Sequence, residues 1–385
     1  MRGSFVLMIV LFSSVFLYAE DYTLDKCIKI AYENNLDLKQ KEIDLETFEK
    51  KVSQAYSSLF PSVTFTSGIA RVLEPDYTTI SLPDTDRETT NGMIPMQGWS
   101  IEYPKYGFQH AISVQQIIFS AQAFMGVKIA RDQKDVEQLN YDLLKKTIKS
   151  TIEKAFYNVL ITDKVIDITK QSYEQDLSHN DITHKKFEEG LVSEFDVIRS
   201  DVKLKSSLSD LENARLNHRM ARAYMFLLLD IEYDQDAEFV GEFSKPTEIP
   251  DLEQSIEKAL ENRLEISILD NSLKVLNSVI GLYRANYIPN LVFQGSFEHM
   301  YASDELGDYA AVDDFSKDYT IALGLQWTLF DGFKRESMIA ESKANYKKLT
   351  FAKEQAIAGI KTEIRNTCWR LEQSKNDFES ALSSL

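Results

Sequence analysis

The sequence predicts a mixed α/β membrane protein, with long coiled-coil helices joined to four β-strands per chain. Three observations predict this fold class. The chain after its leader repeats itself, each copy carries two period-two segments of barrel type, and each carries long proline-free helical stretches. Residues 23–67 align without a gap on residues 251–295 at a shift of 228 (289 − 61, from the matched Pro61 and Pro289). Leu24 meets Leu252, Ile28 meets Ile256, and Glu33-Asn34 meets Glu261-Asn262. Val114 to Phe119 then meets Leu325 to Phe330 at a shift of 211 (330 − 119). A sequence that recurs at a fixed offset is built from one repeated structural unit.

Residues 1–19 read as a secretory signal peptide. Arg2 precedes an apolar run from Phe5 to Leu17, and Tyr18-Ala19 offers a cleavage site. The run is shorter than the ~20 apolar residues a spanning helix needs. The first repeat is expected over 20–250 and the second over 251–385. Each opens with a helix. In the first copy Ile28, Ala31, Leu36, Leu38, Ile43, Leu45, Phe48 and Val52 recur mostly at three- and four-residue steps. Pro61 and Pro289 stand as the helix-strand junctions, because proline lacks the amide hydrogen and disfavours helix before it.

The period then changes to two. Val63, Phe65 and Ile69 alternate with Ser62, Thr64, Thr66 and Gly68, and in the second copy Leu291, Phe293 and Phe297 alternate with Asn290, Gln294, Ser296 and Glu298, with Val292 the exception. Each copy has a second alternating segment. Ile112, Val114 and Ile118 mark one face of the first, over Phe108 to Phe119. Ile321, Leu323, Leu325, Trp327 and Leu329 mark the second, over Tyr319 to Leu329. One apolar and one small, polar face is the pattern of a transmembrane β-barrel, with those residues facing lipid; a soluble sheet with one wet face shares the alternation. The signal peptide and the aromatic residues Tyr319, Trp327 and Phe330 favour the membrane. Residues 71–107, with four prolines, read as a long loop at the outer rim.

A long helix follows each second strand. Asp331 is expected as the N-cap of the second, with Gly332 beside it at the junction. The first has no proline or further glycine between Gly126 and Gly190. Residues 121–178 alone give a rod of roughly 85 Å at ~1.5 Å per residue. A return helix is expected from Glu194 to about Ile231. Such rods must pack their apolar stripes as coiled coils. Four strands cannot close a barrel, and open edges in lipid cost several kcal/mol per unpaired backbone group, so several copies must contribute.

Composition excludes other classes. Without Arg2 the chain carries 42 basic against 60 acidic residues, a charge near −18 (42 − 60), which argues against nucleic acid and anionic surfaces. Cys27 and Cys368 suit neither a zinc site nor a redox pair; a disulfide and two buried thiols both stay open. The five histidines form no HExxH, and no Walker, Rossmann or GxSxG pattern is present. Acidic residues Asp304, Glu305, Asp308, Asp313 and Asp314 lack EF-hand spacing. No catalytic, cofactor or metal residue is expected, and the chain is not expected to be an enzyme.

Several marks together resemble the TolC family of outer-membrane efflux ducts, which serve tripartite efflux and type I secretion. They are Ala31 to Leu36 and its echo Ala259 to Leu264, both junction prolines, the Leu329-Phe330-Asp331-Gly332 turn, and Lys186 to Ser193 leading into Asp196. The resemblance covers nearly all of the chain after its leader. It implies a homotrimer with a twelve-stranded barrel in outer-membrane lipid and an α-helical periplasmic tunnel. It implies a passive conduit from a periplasmic adaptor (membrane fusion protein) and an inner-membrane transporter to the outside. It also implies adaptor contact at the hairpin tip, here Gly190, Leu191, Val192 and Ser193. Under the 211 shift Leu385 corresponds to Glu174, sixteen residues short of Gly190 (190 − 174), so the second tip and return helix fall outside this chain. The rival readings are a periplasmic adaptor, whose flanking lipoyl-type β motifs are missing, and an exported coiled-coil scaffold, which gives no reason for the strands.

Overall fold

The computed structural model describes residues 21–71, 73, 77–83, 96–102, 105–243, 249–303 and 316–383. The expected signal peptide and the acidic run from Asp304 to Asp314 lie outside these residues. Seven helices and six strands are described: α1 Leu24–Asn34, α2 Leu36–Ser57, β1 Ser62–Arg71, β2 Tyr77–Pro83, β3 Met96–Glu102, β4 Tyr106–Phe119, α3 Ala121–Glu188, α4 Glu194–Leu229, α5 Leu252–Asn262, α6 Leu264–Ala285, β5 Asn290–Ser303, β6 Ser316–Gln326 and α7 Lys334–Ser383. No helix among the described residues is long and apolar enough to cross a membrane.

The opening helix of each copy is two helices. Asn35 leaves helical geometry at ψ 119°, and its Oδ1 accepts from the Leu38 amide to start α2. Arg263 occupies the matching break, with ψ 127°. Both α5 and α6 begin and end 228 residues after α1 and α2 (252 − 24, 285 − 57). Periodicity alone hid the break, because the apolar steps continue through it. The expected long loop over 71–107 also holds structure, since β2 and β3 pair as an antiparallel hairpin.

Two compact units divide the chain, each drawing on both copies. The first comprises Met1–Thr47, Val136–Ile268 and Gln355–Leu385. Its core joins α1, α3 and α4 through Cys27, Ala31, Ile152, Phe156, Val159, Met225, Phe226 and Leu229. Segment 237–240 lies over it: Tyr22 donates to the Glu238 carbonyl at 2.8 Å, and Val240 donates to that of Tyr22 at 3.1 Å. Both cysteines are free thiols, Cys27 fully buried.

The second unit comprises Phe48–Asp135 and Leu269–Glu354. It holds a four-stranded antiparallel sheet in the order β1-β4-β5-β6. The interior strands β4 and β5 pair on both sides, while among the described residues β1 and β6 each keep one open edge.

Candidate functional site

Register decides which side chains share a face of the sheet. Val63 pairs with Val114, Phe65 with Ile112, Ile112 with Phe297, and Phe297 with Tyr319. Gly295 pairs with Ile321, Phe293 with Leu323, and Leu291 with Leu325. Directly paired residues point the same way, so these positions make one apolar face across four strands. Much of it is open: Phe65 is 67% exposed, Ile321 80% and Leu325 67%. The opposite face carries Ser62, Thr64 and Thr66 beside Gln115, Ser113 and Ala111, then Gln294, Ser296 and Glu298 beside Ala322, Thr320 and Asp318, with Ile117 and Val292 at one end and Met300 at the other as its apolar members.

Three expected lipid-facing positions stand differently. Ile118 sits where the β4–β5 register shifts, so Phe119 rather than Ile118 pairs with Leu291. The extra residue reverses the alternation from there. Trp327 and Leu329 lie past β6, which stops at Gln326, although both are exposed. The apolar face is also interrupted by one polar row, Ser67-His110-His299-Lys317, in which Ser67 Oγ lies 2.9 Å from His110 Nδ1. Beyond it the apolar side chains resume with Ile69, Phe108 and Tyr301.

The two helix-strand junctions share one device. The helices end at Ser57 and Ala285, four residues before Pro61 and Pro289. Gln116 Nε2 donates to the Leu59 carbonyl at 2.7 Å, and Trp327 Nε1 donates to the Tyr287 carbonyl at 3.1 Å. Donors and acceptors are equivalent under the two sequence shifts (327 − 116 = 211; 287 − 59 = 228). One side chain, in β4 in the first copy and just past β6 in the second, thus donates to the turn before the matched proline.

The second junction adds an ion pair between a buried arginine and a partly buried aspartate. Arg335, 6% exposed, brings Nε within 2.9 Å of Asp331 Oδ2 and donates to the carbonyls of Asn286 (3.1 Å) and Leu329 (3.3 Å). Its guanidinium lies 4.4 Å from the Tyr287 ring. The Tyr287 hydroxyl donates to Glu336 at 2.6 Å, which holds the phenol above its usual pKa and the carboxylate below it. Gly332 and Phe333 both take left-handed backbone, with φ 69° and 64°. Asp331 is therefore not the N-cap itself. The helix begins at Lys334, and the Asp331 carboxylate caps it from outside by accepting the Arg335 amide at 3.2 Å.

At the hairpin tip α3 runs to Glu188, two residues before Gly190, which turns with φ +73°. Its amide donates to the Phe187 carbonyl, and that of Leu191 to Lys186. Ser193 caps α4 in a reciprocal box with Asp196. Leu191 is 68% exposed, and Val192 lies between it and the cap. Below the tip Asp201 Oδ1 accepts from Asn180 at 2.7 Å and lies 2.9 Å from His184 Nε2, which lowers the Asp201 pKa.

The profile of the family described as Outer membrane efflux protein matches residues 27–229, more than half of the chain. The chain belongs to that family. Among curated proteins compared by sequence, none matches. Solved structures agree with the fold at low identity. The CmeC outer membrane channel of Campylobacter jejuni superposes with a TM-score of 0.74 at 17% identity, covering 94% of this chain and 73% of that one. CusC gives 0.73 at 14%, covering 94% and 79%. The MtrE outer membrane channel of Neisseria gonorrhoeae, in its open state, gives 0.68 at 16%, covering 94% and 75%.

Among the residues that build this efflux-family fold, the sequence reading missed Arg335 and Gln116. Arg335 had a signal, a basic residue four after Asp331 in an incipient helix. Gln116 had one only in hindsight, as the partner of Trp327 across the repeat.

Proposed function

We propose that three copies of this chain form an outer-membrane duct that passively conducts small molecules or proteins outward. The observation that carries this reading is the sheet. Among the described residues, four strands present one mainly apolar face, an opposite face that is mostly Ser, Thr, Gln, Gly and Ala with two carboxylates and the apolar Ile117, Val292 and Met300, and an open edge at each end. An open edge in lipid is costly at several kcal/mol per unpaired group, and pairing β6 of one copy with β1 of the next removes every edge. Three such sheets supply twelve strands, and the long helices form the periplasmic tunnel. Cargo reaches it from a periplasmic adaptor and an inner-membrane transporter, with Gly190 to Ser193 as the adaptor contact. The capped turn and exposed Leu191 suit that role, because a rigid tip with one apolar knob can seat in a partner's groove. A scaffold without a pore would have no use for an apolar sheet face.

Cysteine substitution tests the reading in reconstituted vesicles. Thr320→Cys should react with a membrane-impermeant maleimide, and Ile321→Cys should be protected by lipid. Equal labelling of these neighbours would show that the sheet does not separate lipid from water.

A further inference from the structure

Beside the buried Arg335 lies a cavity of about 350 Å³, lined by Gln122, Tyr283, Thr328, Asp331, Lys334 and Arg335 together with Asn286 and Met338. Its walls come from α3, α6, α7 and the turn after β6. Arg335 and Asp331 neutralise each other across 2.9 Å, and Gln122 is committed to the Asn286 side chain at 2.7 Å. Lys334 is exposed and forms no ion pair among the described residues, so the wall carries one uncompensated positive charge. Thr328 and Tyr283, which each carry a hydroxyl, line the same space. An ammonium and two hydroxyls around a pocket of this size form a donor set for a tetrahedral oxyanion.

The same turn carries a different surface beside the cavity. Trp327, Leu329, Phe330 and Phe333 are 54%, 74%, 72% and 67% exposed, and Phe330 and Phe333 stack edge to face at 5.5 Å. They follow in sequence directly after β6, whose apolar face ends with Leu325. Donors in a pocket with an apolar ledge at its rim match an amphipathic anion.

We propose that this cavity binds the phosphate of a glycerophospholipid, whose acyl chains lie along the Leu329–Phe333 ledge and the sheet. The proposal rests on the duct reading, which places this junction at the periplasmic leaflet of the outer membrane. Lys334 gives the charge-assisted contact, while Thr328 and Tyr283 orient the remaining oxygens. Arg335 acts behind them by holding the Asp331–Gly332 turn that shapes the wall.

Native mass spectrometry of the full chain in mild detergent tests the proposal, with dioctanoyl phosphatidylglycerol, dioctanoylglycerol and inorganic phosphate titrated separately. The phospholipid should bind, the other two should not, and Lys334→Glu should weaken phospholipid binding about tenfold, the worth of one charge-assisted contact. Thr328→Val is a second variant with a smaller expected loss. Equal binding of dioctanoylglycerol would show that the ledge alone acts, and equal binding of inorganic phosphate would show a site for the free ion; either overturns the proposal. Unchanged affinity in Lys334→Glu overturns it too. The same spectra give the number of chains per particle, so trimers without lipid refute only the lipid site, whereas monomers refute the duct.

Discussion

At the scale of single residues, three positions carry stress or charge that can be measured. Gly190 has open space where a Cβ would stand, so Gly190→Ala meets no clash; its cost is the left-handed backbone alone. That cost is about 1–2 kcal/mol and local, and faster amide exchange confined to the turn and the first turn of α4 is expected. Arg335→Leu should cost about 1–3 kcal/mol, because it leaves the partly buried Asp331 carboxylate and the carbonyls of Asn286 and Leu329 without their donor; the midpoint of denaturant unfolding reads this directly. Burial pushes the Cys27 thiol up to about 12. A raised folded pKa means that the neutral thiol stabilises the fold fully below pH 9, the ordinary value, and that this contribution is lost as pH rises from there towards 12. Cys27 should therefore resist iodoacetamide at pH 8 in the native chain and react once it unfolds. The sequence showed where Gly190 and Cys27 stand but not the environment of the Cys27 thiol, since burial is a property of contacts far apart in the chain.

At the scale of elements, the two faces of the sheet predict opposite responses to charge. Leu323→Arg should destabilise by roughly 2–4 kcal/mol if its depth is near the bilayer midplane, whereas Ala322→Arg, pointing the other way, should cost far less. Refolding yield into vesicles compares the two, and similar losses would argue against a lipid face. These faces were legible because alternation fixes which residues lie together wherever the strand is regular. It failed where regularity fails. The shift between Ile117 and Phe119 adds a residue and leaves Ile118 without the pairing its parity promised. At Trp327 the indole leaves the ladder to tie down Tyr287, so a strand read from hydrophobicity ran three residues too far, to Leu329. The break at Asn35 was hidden for a related reason. Asparagine there replaces one backbone hydrogen bond with its own side chain, and a helical stripe can resume after a single such residue.

At the scale of the whole molecule, the duplication and the strand pattern made the family legible, whereas assembly could be reached only through the cost of open sheet edges. On the polar face the charged side chains among the described residues are Glu298 and Asp318, paired across β5 and β6. A duct built from these sheets should prefer cations, and Glu298→Gln with Asp318→Asn should weaken that preference; reversal potentials in planar bilayers under a salt gradient measure it. The central claim, that copies of this chain close one another's sheets into a pore, is tested most directly by negative-stain electron microscopy of the chain extracted from outer membranes in mild detergent. Threefold particles with a central stain-filled channel are the predicted result. Single chains, or particles without a threefold axis, would contradict it.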